Sequence, residues 1–233
     1  MQKVNLILGD CINLMRSTPN NFFDLAIVDP PYGIGADNMA NGSKRGKLST
    51  ARRLKAKNRL NQGSGKLSNR VLNSSNCSWD ILPPDEYFTE LFRISKNQII
   101  FGANYFNLPP TRCVIAWDKL QPWENFSQFE LIYTSFDFPA KIVRISQTGG
   151  NNIEKKIHPT QKPVKLYKWL LARFASVEYN ILDTHLGSGS SAIAAFDFGC
   201  EFTGIELNED YFKATQKRFK NYTNQLKINY AND

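Results

Sequence analysis

Short apolar runs separated by polar turns recur along the whole chain and predict that strands alternate with helices. Each run has about the length of a buried strand in a parallel sheet. Strands are predicted at residues 4–8, 25–28, 99–101, 114–117, 181–182 and 202–205. Residues 129–136 and 141–145 are predicted to form a hairpin through the turn at 137–139.

Helical periodicity fills the intervals between these strands. Tyr87, Leu91 and Ile94 follow the spacing of an apolar helix face. Pro163 suits the first turn of a helix, and Gly199 suits the position just after a helix ends. Helices are predicted at residues 85–95, 163–174, 188–198 and 209–222. The alternation predicts an α/β fold without internal repeats.

Asp29-Pro30-Pro31-Tyr32 directly follows the apolar run at 25–28 and is the most informative motif of the chain. Ligands of open α/β sheets bind at the carboxyl ends of the strands, where this motif is predicted to lie. An ionised carboxylate accepts hydrogen bonds from an amino group, two prolines stiffen the turn, and an aromatic ring offers a stacking surface. The motif therefore predicts a receptor for an exocyclic amino group on an aromatic ring, although such pairs also form ordinary turns.

A second motif, at residues 180–192, joins a strand to a helix through a glycine turn. Gly187 and Gly189 would let the backbone approach a ligand closely. The following strand ends in Glu206, an acid whose position suits the hydroxyls of a ribose. This order of elements predicts half of a nucleoside-cofactor site. A glycine turn that only packs a helix on the sheet is the alternative.

Two cofactors compete for this half-site. Gly187, Gly189 and Ala192 match the dinucleotide fingerprint of an NAD-type reductase. However, the twenty-seven residues after Glu206 are too few for the further βαβ units of a dinucleotide-binding fold. A reductase would also leave the motif that begins at Asp29 unexplained. S-adenosylmethionine is therefore the better fit.

Three motifs in this order resemble the DNA amino-methyltransferases, and their permuted β class in particular. They are Asp29-Pro30-Pro31-Tyr32, His158-Pro159-Thr160-Gln161-Lys162-Pro163 and Leu182-Asp183-Thr184-His185-Leu186-Gly187-Ser188-Gly189. The resemblance spans residues 9 to about 211 and implies a permuted Rossmann-like methyltransferase fold, with a mixed seven-stranded sheet and helices on both faces. It also implies transfer to adenine N6, because cytosine-N4 enzymes of this family more often carry serine where Asp29 stands.

The resemblance also implies roles for individual residues. Asp29 and the Pro30 carbonyl would accept the amino hydrogens of a flipped-out adenine. Pro31 would stiffen the turn, and Tyr32 would stack on the base. The cofactor-binding residues that the resemblance implies are Asp10, Asp29, Thr160, Asp183, Gly187, Gly189 and Glu206.

One departure from the family pattern falls in the cofactor motif, which is usually Asp-Pro-Phe. Thr184 lacks the rigid φ of proline, and His185 places a titratable ring where an apolar aromatic residue is usual. We expect S-adenosylmethionine binding to be retained, because both glycines and both acids of the half-site are present.

Positive charge is concentrated in one segment at about residues 36–79. The chain has 29 basic and 21 acidic residues, but positions 38–79 hold ten basic residues and no acidic one. We expect an insertion loop that binds the phosphates of DNA, with a merely solvated charge run as the alternative. The residues expected to contact DNA include Lys44, Arg45, Arg52, Arg53, Lys55, Lys57 and Arg59.

Composition narrows the remaining classes. A length of 233 residues with 42% hydrophobic content suits one domain over residues 1–233. The four cysteines lack C-x-x-C spacing and there are only two histidines, so we expect neither a disulfide framework nor a metal site. No apolar run resembles a signal peptide or a membrane span, so we expect a cytoplasmic protein. DNA is the expected partner, and the frequent dimers of β-class relatives raise a homodimer as a second.

Other functions stay open from the sequence. Cytosine-N4 methylation uses the same receptor chemistry in a pocket of another shape. RNA-directed relatives usually place the glycine motif first, which is the opposite order. A noncatalytic DNA-binding protein is the alternative from another class, but the acids at Asp29, Asp183 and Glu206 favour an enzyme.

Overall fold

Residues 4–34, 80–122, 127–147 and 156–230 are described by the structure, a computed structural model. Their strands are β1 (Val4–Leu8), β2 (Phe23–Val28), β3 (Ser95–Phe101), β4 (Ile115–Asp118), β5 (Phe129–Thr134), β6 (Lys141–Arg144), β7 (Asn180–Asp183) and β8 (Glu201–Glu206). Their helices are α1 (Cys11–Ser17), α2 (Asp85–Ile94), α3 (Val164–Phe174), α4 (Ser190–Phe198) and α5 (Glu209–Tyr230).

The strands of the described residues form one mixed sheet in the order β1-β8-β7-β2-β3-β5-β4-β6. The first five in this order are mutually parallel. Strand β5 is antiparallel to both β3 and β4, and β6 is parallel to β4. The mixed α/β fold predicted from the sequence is confirmed, with eight strands in the described sheet where seven were expected.

The predicted hairpin between β5 and β6 is wrong. Trp117 of β4 lies opposite Glu130 of β5 on one side and opposite Val143 of β6 on the other, so β4 separates the two strands. Both edges of β5 are already paired, with β3 and with β4. The short turn at 137–139 suggested local pairing, but the hydrogen-bonding partner of β6 comes from earlier in the chain.

Apolar residues on β2 alternate between two cores, because successive side chains of a strand point to opposite faces. Leu25 and Ile27 pack in the core that includes residues of α3 and α4. Ala26 and Val28 pack in the core that includes residues of α2. Strand β2 is therefore buried on both faces, which explains its uninterrupted apolar sequence.

Helix boundaries follow local signals in the sequence. Pro163 is the N-cap of α3, and Gly199 is the C-cap of α4, as the sequence predicts. Asp10 caps α1, a short helix that the sequence patterns did not predict, by accepting the Ile12 N–H at 2.8 Å. Helix α5 continues to Tyr230, beyond its predicted end at 222.

Several structural features bear on the function classes. Cys11, Cys113 and Cys200, the cysteines within the described ranges, are free thiols. Within the same ranges, no three His, Cys, Asp or Glu side chains are grouped as a metal ion would require. None of the helices described is both long and apolar enough to span a membrane.

Candidate active site

A cavity of about 810 Å³ opens where the parallel strands β1, β8, β7 and β2 end. The carboxyl ends of parallel neighbours meet at one edge of a sheet, so residues far apart in the chain come together there. The segments that line it after these strands are Gly9 to Ile12, Asp29 to Tyr32, Thr184 to Ser188 and Leu207 to Asn208. The cavity therefore joins the two motifs that the sequence singles out.

Asp29 follows β2 directly, and its side chain is largely buried in the cavity wall. Its Oδ2 lies 2.6 Å from the Lys162 Nζ, and its Oδ1 accepts the Tyr32 hydroxyl at 2.7 Å. Pro30 and Pro31 line the cavity beside it. The structure thus places the four residues of the predicted amino-group receptor together, with a carboxylate held from both sides.

Tyr32 is fixed by its ring as well as by its hydroxyl. Tyr105 stacks on the ring with a centroid separation of 4.8 Å and an angle of 14°. Gly102, at φ +74°, lets the chain pass close to the same ring, since a Cβ there would lie 2.4 Å from Tyr32. The stacking of Tyr32 on a base stays a prediction, because Tyr105 already stacks on this ring.

Three charged residues surround Asp29 and Tyr32 without having been assigned a role from the sequence. Lys162 Nζ lies 3.3 Å from the Glu130 Oε1, and Lys119 Nζ lies 2.9 Å from the Glu130 Oε2. We call Asp29, Tyr32, Lys119, Glu130 and Lys162 the acceptor cluster. Two signals could have found it: Glu130 is an acid inside an otherwise apolar strand, and Lys162 belongs to the motif that begins at His158.

The two carboxylates of the acceptor cluster have pKa values shifted in opposite directions. Burial raises the pKa of Asp29 above its ordinary value; Lys162 opposes this rise and Glu130 adds to it. Burial also acts to raise the pKa of Glu130, but Lys162 and Lys119 outweigh it, so that pKa is lowered. Divergent pKa values mark Asp29 as the proton acceptor and Glu130 as the lasting anion.

The glycine turn meets Glu206 on the other side of the cavity. The Glu206 carboxylate accepts the Gly187 N–H at 2.8 Å and the Asn208 N–H at 2.9 Å. Each oxygen keeps a further lone pair, so the carboxylate is oriented and can still accept hydrogen bonds from a ligand. This geometry suits a diol such as the hydroxyls of a ribose.

Asp10 and Thr160 also line the cavity, as predicted. Asp10 adjoins the Glu206 end, because the Gly9 N–H is bonded to the Glu206 carbonyl oxygen at 2.9 Å. Thr160 lies beside His158, with 3.2 Å between its Oγ1 and the His158 Nδ1. Burial lowers the pKa of His158 to about 3, with a further contribution from Lys162, so its ring is neutral at pH 7.

Asp183 and Gly189 lie beneath the cavity instead of in its wall. Asp183 accepts the His185 N–H at 3.0 Å and the Ser191 hydroxyl at 2.5 Å, which ties the glycine turn to α4. Gly189 is the N-cap of α4, at φ +71°. Both residues support the turn, whereas Gly187 and Glu206 of the same half-site line the cavity.

The two unusual residues of the turn are held by Tyr87 of α2. The Tyr87 and Thr184 hydroxyl oxygens are 2.6 Å apart, and the Tyr87 ring meets the His185 ring edge-on at 5.3 Å. Burial lowers the pKa of His185 to about 4, so this ring is neutral at pH 7. His185 therefore occupies the place of an aromatic residue without adding charge.

The predicted DNA-binding residues lie outside the residues that the structure describes. They are Lys44, Arg45, Arg52, Arg53, Lys55, Lys57 and Arg59. Their contact with DNA stays a prediction from charge alone.

Comparisons with known proteins agree with this geometry. The family model N6_N4_Mtase, described as DNA methylase, matches residues 117–217. A protein of Escherichia coli strain K12 named as a methylase, YubD, is 26% identical over 250 residues, covering 97% of this chain and 95% of its own.

Solved structures share the fold at lower identity. The PvuII DNA methyltransferase, named as cytosine-N4-specific, matches with a TM-score of 0.58 at 12% identity, covering 97% of this chain and 93% of the other. The DNA modification methylase TTHA0409 of Thermus thermophilus, in complex with S-adenosylmethionine, matches with a TM-score of 0.52 at 18% identity, covering 95% and 96%. These likenesses establish the architecture of the chain.

Proposed function

Because the chain is a member of the DNA methyltransferase family, we propose that it transfers a methyl group from S-adenosylmethionine to N6 of an adenine flipped out of DNA. One observation carries the proposal: Asp29 opens onto the same cavity as Glu206 and the Gly187 turn. An acceptor for an amino group and a site for a nucleoside thus share one space.

The nucleoside side of the cavity fits the cofactor. Backbone N–H groups of Gly187 and Asn208 orient the Glu206 carboxylate towards a diol. The volume of about 810 Å³ lies in the upper part of the usual range for ligand sites, about 300 to 1,000 Å³. That size supports the entry of both the cofactor and a base. A methylase of the same fold binds S-adenosylmethionine, which adds further support.

The chain's own residues would position the amino group. A paired adenine cannot present its amino hydrogens to Asp29, so the base must leave the duplex. Asp29 and the Pro30 carbonyl would then accept one N–H each and direct the nitrogen lone pair into the cavity. The bound cofactor supplies an electrophilic methyl group there. Most of the acceleration would come from holding the two groups in line.

Adenine is favoured over cytosine by the identity of residue 29. In the family that this chain resembles, aspartate at that position is typical of adenine enzymes and serine is more frequent in cytosine-N4 enzymes. Mass spectrometry of nucleosides, after unmethylated DNA is incubated with the protein and S-adenosylmethionine, tests this assignment. N6-methyladenine supports it. N4-methylcytosine would keep the receptor chemistry but overturn the choice of base, and unmodified DNA would overturn the proposed activity.

The basic segment at about residues 36–79 is proposed to hold the DNA. Its ten basic residues follow the receptor motif in the chain and are not balanced by any acid between positions 38 and 79. Lysine and arginine that neutralise phosphates release counterions, which gives affinity without reading the sequence of bases. The salt dependence of DNA binding is therefore the property by which this role can be tested.

A further inference from the structure

Asp29 has no free oxygen in the empty cavity. Lys162 lies on its Oδ2 at 2.6 Å, and the Tyr32 hydroxyl lies on its Oδ1 at 2.7 Å. An amino group that arrives in the cavity must therefore compete with a partner already bound. The stronger of the two partners is the Lys162 ammonium, because hydrogen bonds between charged groups are roughly twice as strong as neutral ones.

Glu130 offers Lys162 a second place to bind. Its Oε1 lies 3.3 Å from the Lys162 Nζ, within the reach of a small change in the lysine side chain. Lys119 holds the other oxygen of Glu130 at 2.9 Å, so this carboxylate stays in position. Lys162 is only 7% exposed, and a buried ammonium that leaves one carboxylate needs another.

The Tyr32 hydroxyl links the same two carboxylates. It lies 2.7 Å from the Asp29 Oδ1 and 2.6 Å from the Glu130 Oε1. A hydroxyl has a single proton, so it can donate fully to only one of them at a time. Asp29 and Glu130 therefore share two donors, Tyr32 and Lys162, and either donor can pass between them.

We propose that Lys162 is a positioning residue that pairs with Asp29 in the empty cavity and moves to Glu130 when the target amino group takes its place. This proposal rests on the methyl transfer proposed above. Lys162 would keep Asp29 ionised and oriented before the base arrives. Glu130 would let the lysine leave Asp29, because the ammonium never lacks an anion.

The same movement balances the charge of the reaction. The amine nitrogen forms a bond to the methyl carbon, while the cofactor sulfur keeps the electron pair of the broken carbon–sulfur bond. One amine proton then passes to Asp29, which becomes neutral and no longer attracts Lys162. Glu130 remains ionised and holds Lys162 until Asp29 returns its proton to water.

Other charged or titratable groups near Lys162 come from several elements. His158, in the segment before α3, has its pKa lowered by burial and stays neutral at pH 7. Phe101 at the end of β3 presents its ring to the ammonium at 5.0 Å. Asp183 at the end of β7 interacts repulsively with Asp29. None of these groups offers the ammonium a carboxylate as near as Glu130 does.

The test compares Lys162→Met, Glu130→Gln and the double variant with the wild type. NMR of protein with isotope-labelled aspartate follows the Asp29 carboxyl, and Asp29→Asn identifies its signal. Loss of the lysine should raise the pKa of Asp29 by about one pH unit or more, and loss of the glutamate should lower it. The double variant, which keeps the net charge of the wild type, should return the pKa towards the wild-type value.

Single-turnover methylation of DNA gives the second readout. The pH below which the rate falls should move up in Lys162→Met and down in Glu130→Gln, and Lys162→Arg should stay near the wild type. Glu130→Gln should also lower the maximal rate by about tenfold or more, because Lys162 then has no other anion. A purely structural role would lower rates without moving these limbs in opposite directions.

The outcomes separate this proposal from the proposed function. Equal pKa values for Asp29 in all variants, or unshifted rate profiles, overturn the role of Lys162 even if the wild type methylates DNA. A wild type that methylates nothing overturns the proposed function, whatever the NMR shows. If Lys162→Met does not fold, Glu130→Gln decides the matter, because it retains the ion pair between Lys162 and Asp29.

Discussion

Asp29 is the residue whose replacement should separate cofactor binding from methyl transfer. Asp29→Asn keeps the shape of the side chain but turns one oxygen into a donor, which cannot accept an amino hydrogen. We expect methylation to fall about 100-fold or more, with S-adenosylmethionine affinity reduced less than about tenfold. Calorimetry and single-turnover assays measure the two effects. Rates near those of the wild type would remove Asp29 from the receptor.

Asp183 should make the folded protein less stable as the pH rises. Burial raises its pKa to about 7, whereas the pKa of an unfolded aspartate is about 4. The folded state therefore holds a proton that the unfolded chain loses between these values. The contribution of this group to stability is fully present below about pH 4 and is lost as the pH rises through about 7.

Asp183→Asn removes this pH dependence. Between about pH 4 and pH 7, the free energy of unfolding of the variant should rise relative to the wild type by a few kcal/mol, since one pKa unit corresponds to about 1.4 kcal/mol. Urea denaturation at a series of pH values measures this difference. The depressed pKa values of His158 and His185 act in the opposite direction, but they act equally in both proteins and cancel. A difference that is constant with pH would contradict the buried, protonated state.

At this scale the sequence revealed the residues that belong to recognisable motifs. Asp29 and Glu206 follow apolar strands, so their place at the sheet edge could be predicted. Glu130 and Lys162 could not be given a role, because their importance depends on a contact between β5 and the segment before α3. Asp183 was expected at the cofactor, but its neighbours in three dimensions make it a support of the turn.

Among the elements, the junction between the glycine turn and α4 gives the sharpest prediction. A Cβ at Gly189 would lie 2.5 Å from the Thr215 Cγ2, and its φ is +71°. Gly189→Ala should cost about 1–2 kcal/mol for the left-handed backbone and about 1–3 kcal/mol for the overlap. Thr215→Ser in the same protein removes the methyl group and should recover part of the second cost.

Denaturant unfolding of both single variants and the double variant measures this coupling. Thr215→Ser keeps the hydroxyl that is bonded to the Gly187 carbonyl oxygen, so it is a matched control for the loss of the methyl group alone. The double variant should be more stable than the sum of the two single effects implies. Strict additivity would show that Gly189 and Thr215 do not meet.

Element types followed from local patterns, whereas the pairing of strands did not. The apolar runs and the capping residues placed α3, α4 and the central strands close to their observed bounds. Strand β6 was assigned to the wrong neighbour, because the preference of β4 for β6 is created by the whole sheet. Local turn chemistry carries no information about a partner that lies across another strand.

For the molecule as a whole, the basic segment should dominate the salt dependence of DNA binding. Replacing Arg52, Arg53 and Lys55 by glutamine should flatten the slope of log affinity against log salt by about 0.9 for each phosphate that is no longer neutralised. Affinity for S-adenosylmethionine should not change. A fluorescence titration at several salt concentrations measures the slope.

The control for this prediction has the same loss of charge elsewhere on the surface. Lys165, Lys217 and Lys220 are exposed on α3 and α5, and their replacement by glutamine lowers the net charge equally. The slope should then stay near that of the wild type. Equal effects of the two triple variants would mean that net charge, and not the basic segment, sets the affinity.

The most direct test of the account is the transfer of a deuterated methyl group from S-adenosylmethionine to DNA, measured by mass spectrometry of the nucleosides for the wild type and Asp29→Asn side by side. The account predicts deuterated N6-methyladenine with the wild type and almost none with the variant, although both proteins bind the cofactor. Label on another base, or equal label with both proteins, would contradict the assignment of Asp29 as the receptor of an adenine amino group.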